Sequence, residues 1–128
     1  QKEVAERICA KPPKMNLLAA AVQFWAEPKI LFTLKPTDFN PPPEVKSAVI
    51  KLELGIRNYE SKISENYYKL IHVIFKQPRK TLFNNLRNGL DKNPSELKKL
   101  LNSLKISPDI RPQNLSLSQV KSLTALIH

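Results

Sequence analysis

The chain has 128 residues, of which 41% are apolar and 25% charged, with only 2 glycines. This composition is typical of one globular domain or a small two-part unit with a hydrophobic core, and it excludes a flexible linker. A single cysteine excludes an intramolecular disulfide and fits a reducing cytosol, so a cytoplasmic location is expected. There is no apolar run of the ~20 residues that span a bilayer, no signal-peptide pattern and no initiator Met, so we expect no membrane contact and a fragment of a longer protein.

The positive charge lies mostly in the second half of the chain. Residues 1–60 contain 9 Lys/Arg against 7 Asp/Glu, whereas residues 61–128 contain 12 against 4. A basic surface binds polyanions because each neutralised phosphate releases counterions, so nucleic acid is the leading candidate partner. The alternative is a lysine-rich surface that provides only solubility.

The first eleven residues are predicted to form an amphipathic helix. Val4 and Ile8 recur at helical spacing with charged residues between them, and two prolines, Pro12 and Pro13, end the segment. Cys9 is predicted to be a small buried residue, since no base beside it would make it a nucleophile.

Residues 16–27 are predicted to form a buried helix that Asn16 caps and Pro28 closes. The aromatic neighbours Phe24 and Trp25 are predicted to pack in the core, although they could also form a platform on which a base stacks. A short apolar strand is predicted over residues 30–34.

A proline-rich arm follows, with Phe39 at its start. Proline fixes one backbone dihedral and favours an extended conformation in the residue before it, so residues 39–43 are predicted to form a stiff polyproline-like arm. Alternating residues over 45–54 then predict a partly buried strand. Such an arm would hold the Phe39 ring beside a sheet; the alternative is an ordinary loop into an edge strand.

Residues 55–61 are predicted to be a boundary, and every periodic segment after them is helical. Pro78 is predicted to start a helix that Gly89 ends, while capping sequences at Asn93 and Ser116 begin two more. A one-sided apolar stripe marks the helix that precedes these three: Tyr67, Leu70, Ile71, Ile74 and Phe75. The second half is therefore predicted to be a small bundle of about four helices.

Residues that hold cofactors or metals are scarce. Gly55 and Gly89 alone cannot form a glycine-rich loop around a phosphate or a cofactor sugar. One cysteine and two distant histidines, His72 and His128, lack the spacing of metal ligands, and His72 is predicted to be a partly exposed helix residue. We therefore expect no complete active site, no metal and no bound cofactor in this chain.

Three motifs resemble one known family. The pattern F-x-P-P-P-x-V-x-S-A-V, which begins at Phe39, resembles the post-catalytic motif of the ribosomal RNA adenine dimethyltransferases of the kasugamycin-resistance type. Residues 1–8 resemble the segment after the catalytic loop of that family, and residues 75–86 resemble its C-terminal basic helix. The motifs occur in the order and at the spacing of the family and cover most of the chain.

The resemblance implies an enzyme that uses S-adenosylmethionine to methylate N6 of two adjacent adenines near the 3′ end of small-subunit rRNA. It implies an α+β fragment, in which residues 1–58 are the trailing edge of a Rossmann-like methyltransferase sheet, with two helices and two strands. Residues 59–128 would be an all-α bundle of about four helices that binds RNA. The family's catalytic tetrapeptide and cofactor glycines would precede Gln1, so the chain alone is expected to bind RNA weakly and to catalyse nothing.

The resemblance also assigns roles to individual residues. Phe39 would stack on a flipped-out target adenine, unless its ring only fills a gap between sheet and bundle. The helix predicted over residues 76–87 would bind the rRNA backbone through cations and amides. Those residues are Lys76, Gln77, Arg79, Lys80, Asn84, Asn85 and Arg87. Two departures affect individual contacts: Pro78 replaces the first arginine of the family's Q-R-R-K run, and Lys46 stands where an acidic residue is common.

Two other functions remain open. The chain could be a free-standing basic helical module that binds nucleic acid without catalysis, or a protein-interaction bundle with a soluble, lysine-rich surface. Within the resembling enzymes, a mitochondrial relative or the antibiotic-resistance 23S rRNA methyltransferases share part of the pattern. A steep dependence of RNA affinity on salt would distinguish the nucleic-acid module from the interaction bundle.

Overall fold

The computed structural model describes residues 1–55 and 61–128, which form six α-helices and two β-strands. The predicted boundary, residues 55–61, lies almost wholly outside the described residues. In chain order the elements are α1 (Lys2–Ile8), α2 (Leu17–Gln23), β1 (Ala26–Leu34), β2 (Ser47–Leu54), α3 (Ser61–Ile74), α4 (Leu82–Gly89), α5 (Pro94–Ser103) and α6 (Leu117–Ile127).

Local capping explains where three of the helices begin. The side chain of Asn16 accepts a hydrogen bond from the backbone N–H of Ala19, and Asn93 caps α5 with Pro94 at its first position. Ser116 and Gln119 form the predicted reciprocal capping box at the start of α6. These three helix starts are confirmed.

The end of α2 and the start of β1 differ from the prediction. The helix ends at Gln23, and Pro28 lies within the strand, where its backbone pairs with Leu52. Proline is tolerated in this two-stranded sheet because each strand has an open edge. The prediction that Trp25 packs in the core is also wrong: its side chain is 42% exposed, while that of Phe24 is buried.

The two strands pair antiparallel, and the arm joins them. Their register runs from Ala26 opposite Leu54 to Leu34 opposite Ser47, with a bulge between Ile30 and Phe32. The arm contains a short 3-10 turn, Pro36–Asp38, and then bends over residues 39–41, so it is not one continuous polyproline rod. The peptide bond before Pro41 is cis.

One hydrophobic core extends from α2 into the helices that follow the sheet. Met15, Ala19 and Phe24 belong to the same buried cluster as the apolar residues of α3 to α6. The ring of Phe24 stacks on that of Tyr67 with centroids 4.1 Å apart. Packing therefore continues across the predicted division between residues 1–58 and 59–128.

The strand pair exposes apolar side chains. Leu54 is 66% exposed, and further large apolar side chains on or beside the sheet are also open to solvent: Trp25, Leu31, Phe32, Val49 and Leu52. Alternation along β2 puts Leu52 and Leu54 on one face of the pair and Val49, with its partner Phe32, on the other, so apolar side chains are exposed on both faces. Among the helices of the described ranges, none is long and apolar enough to cross a membrane.

Candidate nucleic-acid interface

The cations predicted to bind RNA lie on an exposed turn that precedes α4. The helix begins at Leu82 after a cap in which the Thr81 hydroxyl accepts a hydrogen bond from the N–H of Asn84, so the predicted start at Pro78 is wrong. Residues 76–80, here called the basic turn, are all exposed. Lys76, Arg79 and Lys80 therefore project from a turn and not from a helix face.

Asn85 holds the basic turn in place. Its side-chain oxygen accepts from the backbone N–H of Gln77 at 3.0 Å, and its amide donates to the carbonyls of Gln77 and Thr81, each at 3.0 Å. The side chain is buried, with the residue only 4% exposed. The prediction of a direct RNA contact by Asn85 is therefore corrected: its polar atoms bind the backbone of the turn, and they position the neighbouring cations.

The start of α4 is not a free site for phosphate. A helix N-terminus binds anions only where its first N–H groups are unpaired. Here the N–H of Leu82 donates to the carbonyl of Ile110 at 2.7 Å, and that of Phe83 donates to the carbonyl of Pro108 at 3.2 Å. A phosphate contact at the start of α4 would therefore have to come from side chains.

The remaining predicted residues of this surface are available for binding. The side-chain amides of Gln77 and Asn84 make no hydrogen bond with residues of the described ranges, and Arg87 is exposed on α4. Its guanidinium carbon lies 5.8 Å from the centre of the Phe83 ring. Gln77 lies in the basic turn itself, and Asn84 and Arg87 lie on α4, whose Asn85 binds the backbone of that turn.

These cations are not neutralised by nearby carboxylates. The salt bridges between described residues join Lys2 to Glu6, Lys69 to Glu65 and Lys92 to Glu96, all between side chains four residues apart. None involves the basic turn or Arg87. An excess of unpaired positive charge attracts a polyanion and makes the binding sensitive to salt.

Sequence reasoning missed one cation on the neighbouring helix. The ammonium group of Lys98, on α5, lies 5.2 Å from the centre of the Phe83 ring. Fifteen residues separate Lys98 from Phe83, so no local pattern signals the contact, which exists only because α4 packs against α5.

Phe39 lies at the other predicted site, at the end of the 3-10 turn. The carboxylate of Asp38 accepts a 2.8 Å hydrogen bond from the N–H of Lys35 and fixes this turn. The Phe39 side chain is 40% exposed, so one part of the ring is accessible to a ligand. A pocket of about 310 Å³ at the far end of the arm is lined by Lys46 and α1 and does not include Phe39.

Other reactive side chains form no site in the described residues. No group of three His, Cys, Asp or Glu side chains is arranged to hold a metal ion there. The His72 ring is exposed, as predicted, with Nδ1 2.7 Å from the carbonyl oxygen of Tyr68. Cys9 is half-buried, without the full burial predicted for it.

A family profile and the most similar relatives found by sequence comparison point to the same protein family. The profile of the family described as "Ribosomal RNA adenine dimethylase" matches residues 1–127. A protein named "Ribosomal RNA small subunit methyltransferase A" from Fusobacterium nucleatum is 38% identical over 122 residues, which cover 93% of this chain and 46% of that protein. Its namesake from Geobacillus kaustophilus is 36% identical over 132 residues, which cover 97% and 44%. The chain spans about half the length of the curated relatives it matches.

Two solved structures share the fold. A dimethyladenosine transferase from Plasmodium falciparum aligns with a TM-score of 0.74 at 21% identity, over 96% of this chain and 53% of its own. The 23S rRNA methyltransferase ErmE aligns with a TM-score of 0.71 at 16% identity, over 98% and 51%. The sequence resemblance is confirmed by the family profile, which matches nearly every residue, and the chain belongs to the ribosomal RNA adenine dimethylase family.

Proposed function

We propose that this chain is the C-terminal portion of an S-adenosylmethionine-dependent rRNA adenine dimethyltransferase, which methylates N6 of two adjacent adenines near the 3′ end of small-subunit rRNA. In this proposal the chain binds rRNA and supplies one wall of the target-adenine pocket. The main support is the exposed basic turn, whose cations have no carboxylate partner in the described ranges and whose shape is fixed by Asn85. The partner is the immature small subunit in the cytoplasm.

The exposed sheet supports the proposed place of the chain in a larger fold. Residues 1–58 would be the trailing edge of a Rossmann-like sheet, and residues 59–128 a helical RNA-binding bundle. Leu52 and Leu54 are exposed on one face of the strand pair, and Phe32 and Val49 are exposed on the other. Exposed apolar surfaces of this kind mark contact with another element. The rest of the methyltransferase domain would cover them.

The described residues do not fit the cofactor. Gly89 packs against the Val73 side chain, and the N–H of Gly55 donates to the carbonyl of Trp25, so neither glycine belongs to a loop that could surround S-adenosylmethionine. In the proposed enzyme, the groups that bind the methyl donor and orient the adenine amine would lie outside the residues of this chain.

In this proposal the ring of Phe39 stacks on the target adenine. An adenine must leave its stack before its exocyclic amine can reach a methyl donor, and stacking on an aromatic ring is worth about 1–3 kcal/mol per base. The ring is accessible, and its position is set by the 3-10 turn on one side and by residues 41–46 on the other. The end of that segment is fixed by a 3.0 Å hydrogen bond from the N–H of Lys2 to the carbonyl of Lys46.

RNA binding is tested with the 128-residue chain and a transcribed 3′-terminal fragment of small-subunit rRNA. In the wild type, the logarithm of the affinity should fall steeply with the logarithm of salt concentration. The double variant Arg79→Glu, Lys80→Glu should bind more weakly, with a salt slope smaller by about 2, one for each lost phosphate contact. Lys14→Glu, Lys62→Glu carries the same charge change elsewhere and serves as the control. Unchanged affinity and slope in the first variant would refute the assignment.

Catalysis is tested by joining this chain to the unmatched N-terminal part of the Geobacillus kaustophilus relative. The chimera should transfer methyl groups from S-adenosylmethionine to the rRNA, and Phe39→Ala should lower this activity more than Phe39→Tyr. A free-standing nucleic-acid-binding module, the alternative function, would bind RNA but give an inactive chimera. Equal activity in the two Phe39 variants would exclude a stacking role for the ring.

A further inference from the structure

A second basic surface adjoins the predicted one and is organised by a single aromatic ring. Phe83, on α4, is half-buried, and two cations from different helices lie over its ring. The guanidinium carbon of Arg87 is 5.8 Å from the ring centre, and the ammonium nitrogen of Lys98 is 5.2 Å from it. The contact joins the predicted RNA-binding residue Arg87 to a residue of α5 that no sequence motif indicated.

The exposed face of α5 carries positive charge without acidic neighbours in sequence. Its one carboxylate, that of Glu96, lies at the start of the helix and is 3.9 Å from the Lys92 ammonium group. From residue 97 to residue 105 there is no acidic residue, and Lys98, Lys99 and Lys105 are exposed. No carboxylate in the described part of the chain forms a salt bridge with Lys98 or Arg87.

Contact with the Phe83 ring restricts the conformations of the Arg87 and Lys98 side chains. A free lysine on a surface loses rotamer freedom when it binds a phosphate, and this loss reduces the affinity gained. A lysine that already lies over an aromatic ring has lost part of that freedom on folding. Arg87 and Lys98 are therefore partly ordered before a ligand arrives, on one continuous patch of surface.

We propose that the RNA-binding surface continues from the basic turn across Phe83 onto α5, where Lys98 binds an RNA phosphate. Phe83 is a positioning residue that orders Lys98 and Arg87. This inference rests on the proposed RNA-binding function and adds to it a contact on a second helix. Lys98 and Arg87 would then contact phosphates on the same bound strand.

The chemistry of the surface favours RNA over an acidic protein. Gln77 lies in the basic turn and Asn84 directly follows Phe83 in sequence; their side-chain amides have no hydrogen-bond partner in the described ranges and can pair with ribose hydroxyl groups. A 2′-hydroxyl both donates and accepts, as an amide does. An acidic peptide would use the charges but not this mixture of donors and acceptors.

The test compares two neighbouring lysines of α5. Lys98→Gln and Lys99→Gln remove the same charge from the same helix, but only Lys98 contacts Phe83. The affinity of the 128-residue chain for the transcribed 3′-terminal rRNA fragment is measured over a range of salt concentrations. Lys98→Gln should weaken binding about fivefold at 0.1 M salt and lower the salt slope by about 0.7, the value of one phosphate contact on a single strand. Lys99→Gln should leave the slope unchanged.

A third variant tests the role of the ring. Phe83→Leu keeps an apolar side chain but removes the surface over which both cations lie. This variant should bind RNA more weakly with the salt slope unchanged. The number of charges stays the same, but the Arg87 and Lys98 side chains are no longer held in place by the ring. Thermal unfolding of this variant shows whether it is folded at the temperature of the assay; the two lysine variants, at exposed positions, test the proposal independently of that result.

The outcomes separate this inference from the proposed function. If Lys98→Gln and Lys99→Gln behave alike while Arg79→Glu, Lys80→Glu still binds weakly, the extension onto α5 is wrong and the basic turn keeps its role. If the double variant also binds like the wild type, both proposals fail. A slope that falls in Lys98→Gln but not in Lys99→Gln, together with weaker binding by the double variant, supports both.

Discussion

The hydroxyl of Tyr67 donates a 2.6 Å hydrogen bond to the carbonyl oxygen of Ala20, 47 residues earlier in the chain. This buried bond joins α3 to α2, beside the stacked rings of Phe24 and Tyr67. The neighbouring Tyr68 makes a similar but longer bond of 3.2 Å to the carbonyl of Ala21, nearer the surface. Two adjacent tyrosines thus attach the helices after the sheet to α2.

The first prediction concerns this pair of bonds. Tyr67→Phe should lower the free energy of unfolding by about 1–3 kcal/mol, because the buried Ala20 carbonyl loses its donor. Tyr68→Phe is the matched control and should cost less, since its bond is longer and only partly buried. Urea unfolding followed by circular dichroism measures both. A larger loss in Tyr68→Phe would contradict the assignment of the main contact to Tyr67.

The second prediction concerns the close contact of α4 with α3. A Cβ atom added to Gly89 would lie 2.5 Å from Cγ1 of Val73, which is closer than carbon atoms can approach. Gly89→Ala should therefore destabilise the protein by about 1–3 kcal/mol through overpacking. Val73→Ala in the same chain should restore part of the loss. Additive losses in the double variant would show that the two residues are not coupled.

The third prediction concerns the hydrogen bonds by which the Asn85 side chain holds the basic turn. Asn85→Ala removes the hydrogen bonds to Gln77 and Thr81 and should loosen the turn. Trypsin should then cleave after Lys76 or Arg79 faster than in the wild type, as detected by mass spectrometry. Asn84→Ala is the control, since that side chain makes no hydrogen bond within the described ranges. Equal cleavage rates in the two variants would mean that the hydrogen bonds of Asn85 do not order the turn.

The fourth prediction concerns pH. Burial, and after it the charges of Lys92, Lys62 and Lys69, lower the pKa of His128 below its usual 6.5. The unfolded chain therefore binds a proton more readily, so stability from this residue is present above pH 6.5 and is lost as the pH falls through the folded-state pKa. His128→Gln should reduce the loss of stability between pH 7.5 and the acid range.

Salt provides the control for the pH prediction. Added salt screens the charges of the surrounding lysines but does not change the burial of the ring, so it should reduce the effect of pH on the wild type only in part. Denaturant unfolding at several pH values, with and without added salt, measures both effects. An identical pH dependence in wild type and His128→Gln would show that another group is responsible.

Helix starts were predictable because their signals are local. Asn16, Asn93 and Ser116 each form the capping bond that their sequence context indicates. Prolines were harder to place, since proline is excluded from a helix interior but fits a helix start, an edge strand or a turn. Pro28 lies in a strand because β2 pairs with it, whereas Pro78 lies in a turn. Neither position is determined by the neighbouring residues in sequence alone.

The sequence was sufficient to predict which cations of the candidate site are exposed. It was not sufficient to predict which side chains of the site contact one another. The cations Lys76, Arg79 and Lys80 are exposed, as polar residues beside an apolar stripe usually are. The burial of Asn85 and the approach of Lys98 to Phe83 depend on which helices and turns pack together. The cap at Thr81 was the one local signal that could have placed the start of α4 correctly.

The core that includes both Phe24 and Tyr67 has a geometric consequence for the proposed enzyme. Helix α2 and the four later helices cannot separate without exposing this stacked pair to water. The strand pair, whose connecting arm carries Phe39, follows directly on α2, so the arm and the basic turn are attached to the two sides of this core. In the proposed enzyme, an rRNA strand bound at the basic turn would present to Phe39 a nucleotide set by its separation along the strand.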